Sequence, residues 1–400
     1  MLDYVAARED KSAAEKTLVE KAKALGPALK HRALKAEEDR RIPLQTHEDF
    51  INAGFYSALQ PKRYGGLELD YGAQTAFASE LGRACASSGW IASILACHAW
   101  IAGMFPDEAQ SEIWIKSPNA TIATSFLPVN TNFEFSGEDL VISGRWRFSS
   151  GVNYCSWAIL LALLPQSAGE PPDPVFALIN LKSCVIEDRW NSAGLTATGS
   201  NDIIVDAVHV PAHRTVRINH LRGEKTLDHL ANQSYLYRLP LFAVFPFNII
   251  GPALGAANSV LEDVVNDLSS RKSVTGSDLS RVGTAHQRIG RATSLLDSAE
   301  ALISKIRMEI VKKGYAGEKF SMVERARYRL NLGYIAKNCC DAVDELLPLT
   351  GGRGLEKTHP MQRAWRDVHA IAQHIGLVWD LQTSLFGNIL LGHGSPDPKL

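Results

Sequence analysis

Three short stretches of this 400-residue chain carry side chains able to hold or react with a small molecule. Trp146-Arg147-Phe148-Ser149-Ser150-Gly151 ends an alternating run in two hydroxyls. Hydroxyls and backbone amides together suit the polar edge of a flat heteroaromatic ring. Leu195-Thr196-Ala197-Thr198-Gly199-Ser200-Asn201 opens a second extended run, and its small residues let the main chain approach a ligand closely. Taken alone, each stretch reads first as a turn. The third runs from Arg363-Ala364-Trp365-Arg366-Asp367-Val368-His369 to His374. At helical spacing His369 and His374 point to different faces and make a poor metal pair, so no metal site is expected, whereas Asp367 and His374 share a face. A histidine titrates near neutrality and suits proton transfer beside a cofactor. By residue type alone, a helical histidine facing a bundle is more often a hydrogen-bonded core residue, and the same two readings hold for His98 within Ile94-Leu95-Ala96-Cys97-His98-Ala99-Trp100. Gly351-Gly352-Arg353-Gly354 either cradles a phosphate between helices or reverses the chain.

Other chemistries are excluded by pattern. The chain has no P-loop, no GxGxxG after a strand, no HExxH and no GxSxG. Forty-two Lys and Arg against 43 Asp and Glu give a net charge of -1, which argues against bulk attraction to nucleic acid or an acidic membrane and for a neutral or weakly charged small molecule. Six cysteines without CxxC spacing read as reduced thiols. The first residues, MLDYVAARED, lack a basic stretch followed by an apolar one, so a cytoplasmic location is expected. Residues 239–261 carry no charge, yet Pro240, Pro246, Asn248, Gly251, Pro252 and Gly255 interrupt them. A buried, broken segment is expected there rather than a membrane span.

The elements that must position these groups follow from periodicity. Residues 10–118 read as helical, with turns at Arg41-Ile42-Pro43 and Tyr64-Gly65-Gly66. Between 119 and 225 the period changes to two, most plainly where Leu140, Ile142, Trp146 and Phe148 alternate with polar neighbours; Trp157–Leu164, Val175–Leu181 and Ile203–Val210 are further strand candidates. A small antiparallel sheet is expected. After 238 helices return: Ile289, Ala292, Leu296, Ala299, Ile303, Ile306 and Ile310 form a stripe ending at Lys312-Lys313-Gly314, and 318–347 and 360–391 read as two further long helices. The expectation is an α+β chain of three domains: a helical domain over 1–118, a central β domain over 119–225 and a C-terminal four-helix bundle over 226–400.

Read in order, Arg40-Arg41-Ile42-Pro43, Gln60-Pro61-Lys62-Arg63-Tyr64-Gly65-Gly66-Leu67, Ser88-Gly89-Trp90, Ser149-Ser150-Gly151, Gly194-Leu195, Thr198-Gly199-Ser200-Asn201, Val210-Pro211, Gln362-Arg363, Arg366-Asp367-Val368-His369 and His374 form a series. In that series the chain resembles, nearly end to end, the two-component flavin-dependent monooxygenases built on the acyl-CoA dehydrogenase fold, above all those that hydroxylate 4-hydroxyphenylacetate and phenolic secosteroids. The resemblance implies a homotetramer that takes reduced FAD or FMN from a separate NAD(P)H-dependent flavin reductase. Reaction with O2 then gives a C4a-hydroperoxyflavin that transfers one oxygen atom to a small aromatic substrate. It further implies that Ser150 hydrogen-bonds flavin N5, that His374 is the catalytic base, and that His98 and Ser125 meet the polar group of the substrate. Trp90, Ser125, Trp146, Phe148, Ser149, Thr198 and Ser200 would line the flavin, with Arg271 at its phosphate, and Phe242 and Phe245 would contact the substrate.

The chain departs from the family pattern in following Ser149-Ser150-Gly151 with Val152-Asn153-Tyr154 where Cys-Asp-His is common. Phe242 stands where the phenylacetate enzymes place an arginine for the substrate carboxylate, and Gly376 stands where a tyrosine lies nearby. A larger, less anionic substrate such as a bicyclic phenol or an indole is expected. The rival reading is an acyl-CoA dehydrogenase, which needs a carboxylate base; Glu356 in Arg353-Gly354-Leu355-Glu356-Lys357 is the candidate. A third reading is a flavin-binding scaffold without turnover.

Overall fold

Five helices precede the first strand: α1 (Leu2–Glu38), α2 (Leu44–Ala53), α3 (Ala73–Gly82), α4 (Ala86–Ala102) and α5 (Asp107–Trp114). α2 stops at Gly54, whose φ of 87° lets its N–H return to the Ile51 carbonyl and the Phe55 N–H to that of Phe50, a left-handed cap that a Cβ would strain. α4 is buried along its whole length, which accounts for a sequence without a charged outer face. The computed structural model describes residues 2–164, 166, 172–223, 232–397 and 399–400.

Among the described residues eight strands follow: β1 (Ile122–Ser125), β2 (Leu127–Ser136), β3 (Asp139–Ser149), β4 (Trp157–Leu164), β5 (Asp173–Asn180), β6 (Cys184–Glu187), β7 (Asn201–Val210) and β8 (Thr215–Arg217). They form two four-stranded sheets, ordered β1-β4-β5-β8 and β2-β3-β7-β6. All neighbours pair antiparallel as expected except β1, which runs parallel to β4. The inward residues of both sheets, among them Leu140, Ile142, Trp146, Leu160, Ala162 and Ile203, share one apolar core distinct from that of the helices.

The helices after the sheets are α6 (Leu241–Val244), α7 (Phe247–Ser270), α8 (Gly283–Ala316), α9 (Met322–Leu346), α10 (Pro360–Ala372) and α11 (Trp379–Leu390). The uncharged segment is buried as expected. Leu241–Ser270 is long and apolar enough to cross a membrane, but 89% of its apolar 18-residue stretch is buried inside the protein, the pattern of a core helix. Its break falls at Phe245-Pro246, and α7 runs on through Pro252. A proline there supplies no N–H to the carbonyl four residues back, that of Asn248. The Ser93 hydroxyl of α4 donates to that carbonyl instead. α7 also packs against α3 so closely that a Cβ on Gly255 would overlap the Ser79 carbonyl.

The α8 stripe points inward as the periodicity implies, with Ala292, Leu296, Ala299, Ile306 and Ile310 buried. The helix continues past Gly314 and is capped at Gly317 with φ 65°. α9 starts in a capping box between Ser321 and Glu324. The expected single helix over 360–391 is two: α10 ends at Ala372 and α11 starts at Trp379. Asp367 therefore lies on α10 while His374 lies beyond its end, and the two do not share a helix face.

Candidate active site

A bulge in β3 creates the first half of the site. Register slips between Trp146 and Ser149, and Phe148 adopts φ 63°. The kink breaks strict alternation. Trp146 points into the sandwich core, Phe148 turns out toward Trp190 with ring centroids 5.9 Å apart, and Ser149 and Ser150 both become buried. Gly151 N–H donates to the Thr198 carbonyl at 2.9 Å, tying this corner to the loop that opens β7. Ser150 Oγ lies 2.8 Å from Ser200 Oγ, which lies 2.7 Å from Thr198 Oγ1; Thr198 donates to the Leu195 carbonyl at 2.8 Å. From α4, Trp90 Nε1–H donates to Ser150 Oγ at 3.1 Å. Two loops and one helix, distant in sequence, thus meet at one hydroxyl.

The loop is held from α10. Leu195 has φ 52°, a left-handed geometry unfavourable for a branched residue, and its N–H donates to Asp367 Oδ1 at 2.6 Å. Burial raises the Asp367 carboxyl to about 6. Its role is to fix Leu195.

The second half is aromatic. The His374 ring lies 6.0 Å from Trp90 and stacks on Phe245 at 5.9 Å. Phe245 continues into Phe126, Phe176 and Phe242, with ring separations of 5.1–6.0 Å. Burial, then the charge of Arg329, lower His374 to about 4, so the ring is neutral at physiological pH. Gly376 N–H donates to His374 Nδ1 at 3.1 Å, which places the ring hydrogen on Nε2. In this arrangement the Nδ1 lone pair is engaged by the backbone and Nε2–H is left to donate, so action of His374 as a base would require release of the Gly376 contact. Gly376 is needed at this turn, since a Cβ there would stand 2.7 Å from Pro246 Cγ.

Other expected site residues lie elsewhere. His98 is fully buried, with Nδ1 2.8 Å from the Ile122 carbonyl and Nε2 2.8 Å from Thr124 Oγ1. A carbonyl only accepts, so Nδ1 carries the hydrogen and the Thr124 hydroxyl donates to Nε2. Both ring nitrogens are therefore occupied, which is the satisfied core histidine rather than a substrate contact. Ser125 donates to the Arg147 carbonyl at 2.5 Å. Strand alternation gives Thr124, which sequence reasoning missed, the face toward His98. Trp146 is no flavin wall: it is fully buried between the sheets, and its Nε1–H donates to the Leu161 carbonyl at 2.8 Å. Arg271 lies apart from the Ser150 cluster, in a cavity of about 350 Å³ with Lys30, Asp267, Arg353 and His359. There it donates to Asp267 at 2.6 Å and to the carbonyls of Leu349 and Thr350 at 2.5 and 3.1 Å. The rival's Glu356 is exposed. Also unforeseen were Phe126 and Phe176, and Arg329, which is buried, donates to the Phe242 carbonyl at 3.2 Å and leaves Nε unpaired.

Two family models, the acyl-CoA dehydrogenase N-terminal and C-terminal domains, match residues 8–117 and 248–379. The chain is 30% identical to the oxygenase component of an FADH(2)-dependent resorcinol hydroxylase from a Rhizobium species, over 90% of each chain. It is also 30% identical to the oxygenase subunit HsaA of a flavin-dependent monooxygenase from Rhodococcus jostii, over 88% of this chain and 92% of that one. This chain belongs to the flavin-dependent monooxygenases of the acyl-CoA dehydrogenase fold. The solved structure of 3-HSA hydroxylase from a Rhodococcus species superposes with a TM-score of 0.90 at 28% identity, covering 96% of this chain and 98% of that one.

The residues present in this monooxygenase fit a flavin. Ser149 Oγ is buried without a hydrogen-bond partner, an arrangement that normally implies a ligand or water. Ser150 Oγ keeps a lone pair beyond its bonds to Trp90 and Ser200. The indole and imidazole of Trp90 and His374 add flat surfaces on the same side of the cluster.

Proposed function

We propose that this monooxygenase is the oxygenase component of a two-component system. It takes reduced FAD or FMN from a separate NAD(P)H-dependent reductase and uses O2 to hydroxylate a small aromatic substrate of the phenol or indole type. The observation that carries this reading is the buried Trp90–Ser150–Ser200 cluster adjoining His374 and an aromatic wall. When bound, the flavin activates O2 for transfer of one oxygen atom to the substrate. Ser150 accepts a hydrogen bond from flavin N5–H. The aromatic residues Phe126, Phe176, Phe242 and Phe245 exclude water and stack on the substrate ring. His374 directs Nε2–H at a substrate or oxygen-derived atom, holding it as a donor. Arg271 and Arg353, both paired with Asp267, would have to exchange that carboxylate for a flavin phosphate reaching their cavity. A homotetramer in the cytoplasm is part of the same proposal, and exposed Ile375, Leu381, Leu390 and Leu391 around α11 supply apolar surface for a subunit contact.

Phe242 supports a neutral bicyclic phenol or indole over a phenylacetate. Mixing the protein and photoreduced flavin with oxygenated buffer tests the class: a persistent near-ultraviolet transient should precede oxidised flavin, and candidate aromatics should speed its decay. Immediate appearance of oxidised flavin with release of peroxide for every aromatic tried would reject the proposal. Ser150→Ala should shorten that transient and raise hydrogen peroxide release at least tenfold. Phe242→Arg should shift preference toward carboxylate-bearing phenols; an unchanged preference removes Phe242 from substrate selection.

A further inference from the structure

The hydroxyl chain behind Ser150 has a direction. A carbonyl oxygen only accepts, and a hydroxyl carries one hydrogen and two lone pairs. Thr198 commits its hydrogen to the Leu195 carbonyl at 2.8 Å. At 2.7 Å, Ser200 must then donate to Thr198. At 2.8 Å, Ser150 must in turn donate to Ser200. Trp90 Nε1–H takes one Ser150 lone pair, and an indole N–H cannot reverse its role. Ser150 Oγ is thus left with a lone pair and no hydrogen to offer. The fixed end is rigid: Leu195 is held in left-handed geometry by Asp367, and its carbonyl is shared by three donors, Thr198 Oγ1 being the shortest, with Trp190 Nε1 at 2.9 Å and Thr198 N–H at 3.1 Å.

We propose that Thr198 and Ser200 are positioning residues that hold the Ser150 hydroxyl as a hydrogen-bond acceptor, so that the site selects reduced over oxidised flavin. The inference rests on Ser150 facing flavin N5. Reduced flavin carries hydrogen on N5 and meets the free lone pair; oxidised flavin presents an N5 lone pair, which faces another. A component that receives a diffusing reduced flavin and releases the oxidised form benefits from that difference. Removing the relay frees the Ser150 hydrogen to rotate toward the flavin, where it serves oxidised N5 equally well.

The test is anaerobic titration of the full-length protein with oxidised and photoreduced FAD, giving the ratio of the two dissociation constants, with the midpoint potential of bound FAD as a second readout. Thr198→Val and Ser200→Ala should each reduce the preference for reduced FAD about tenfold, equal to a fall of about 30 mV for a two-electron couple. Thr198→Ser should keep it. General loosening of the loop would weaken both flavin forms together and leave the ratio unchanged, so an unchanged ratio in both variants overturns the relay. Ser150→Ala separates the levels: if it abolishes the preference while Thr198→Val and Ser200→Ala do not, only the relay falls; if it too leaves the preference intact, the placement of Ser150 at N5 falls with it.

Discussion

His374 shows how one backbone contact sets what a side chain can do. Its residue type and position in the sequence suggested a base, but the Gly376 N–H on Nδ1 leaves Nε2–H as the free group. Burial first and then the Arg329 guanidinium keep the ring neutral, at about 4, and a neutral ring is what this donor geometry requires. Replacing Arg329 by Met removes the repelling charge, so the His374 value should rise from about 4 toward the ordinary 6.5. Imidazole proton shifts followed by NMR across pH 3–7 would read it directly. A value that stays put would mean that burial alone sets the protonation state. His98 teaches the converse. The same residue type is spent on the Ile122 carbonyl and Thr124, and nothing in the sequence distinguished the two histidines, because the distinction lies in partners from other elements.

At the scale of elements, legibility followed the strength of the local pattern. The α8 stripe and the four clearest strands were readable because each buries one face against a core. β1 and β6 are four residues long and β8 is three, too short for a period-two signal, whereas β2 does alternate, Leu127, Val129, Phe133 and Phe135 against Asn130, Asn132, Glu134 and Ser136, but on a strand with no continuous buried face. Missing β1 also hid the alternation that assigns Thr124 rather than Ser125 to the His98 side. The break between α10 and α11 was illegible because apolar residues keep helical spacing across it; in the turn Gly376 packs closely against Pro246. The bulge at Phe148, which buries both Ser149 and Ser150, has no signature in the sequence, since the slip of register depends on the partner strand. The Pro252 repair predicts a testable coupling between elements. Ser93→Ala orphans the Asn248 carbonyl and should cost about 1–3 kcal/mol in denaturant unfolding. In that background Pro252→Ala returns the missing N–H and should recover most of the loss, giving clear non-additivity. Additive losses would show that Ser93 does not satisfy that carbonyl.

For the whole molecule, buried titratable groups set how stability responds to acid. Burial lowers His98 to about 3 and His374 to about 4, and lowers His47 as well. For each, the unfolded chain takes up a proton near 6.5 while the folded chain resists, so their stabilisation is complete above that pH and lost as pH falls below it. Asp367 acts in the opposite sense. Raised to about 6 from 3.8, it is protonated in the folded protein before the unfolded one, and so offsets one of those protons below pH 6. The surface carboxylates with lowered values, such as Glu112 and Glu345, add their own losses only near their ordinary 4.5. Between pH 6.5 and 5 His98 and His374 each take up a proton on unfolding, Asp367 progressively offsets one of the two, and His47 adds to the uptake in the same sense, each net proton being worth about 1.4 kcal/mol per pH unit. Chemical denaturation at a series of pH values should show stability flat from 8 to 7 and declining steadily below 6.5. Asp367→Asn should steepen the decline, because the offsetting group is gone, whereas His98→Gln should make it shallower at the expense of stability at neutral pH. A wild-type curve flat to pH 5, or variants with unchanged slopes, would mean that the buried imidazoles do not govern the acid limb.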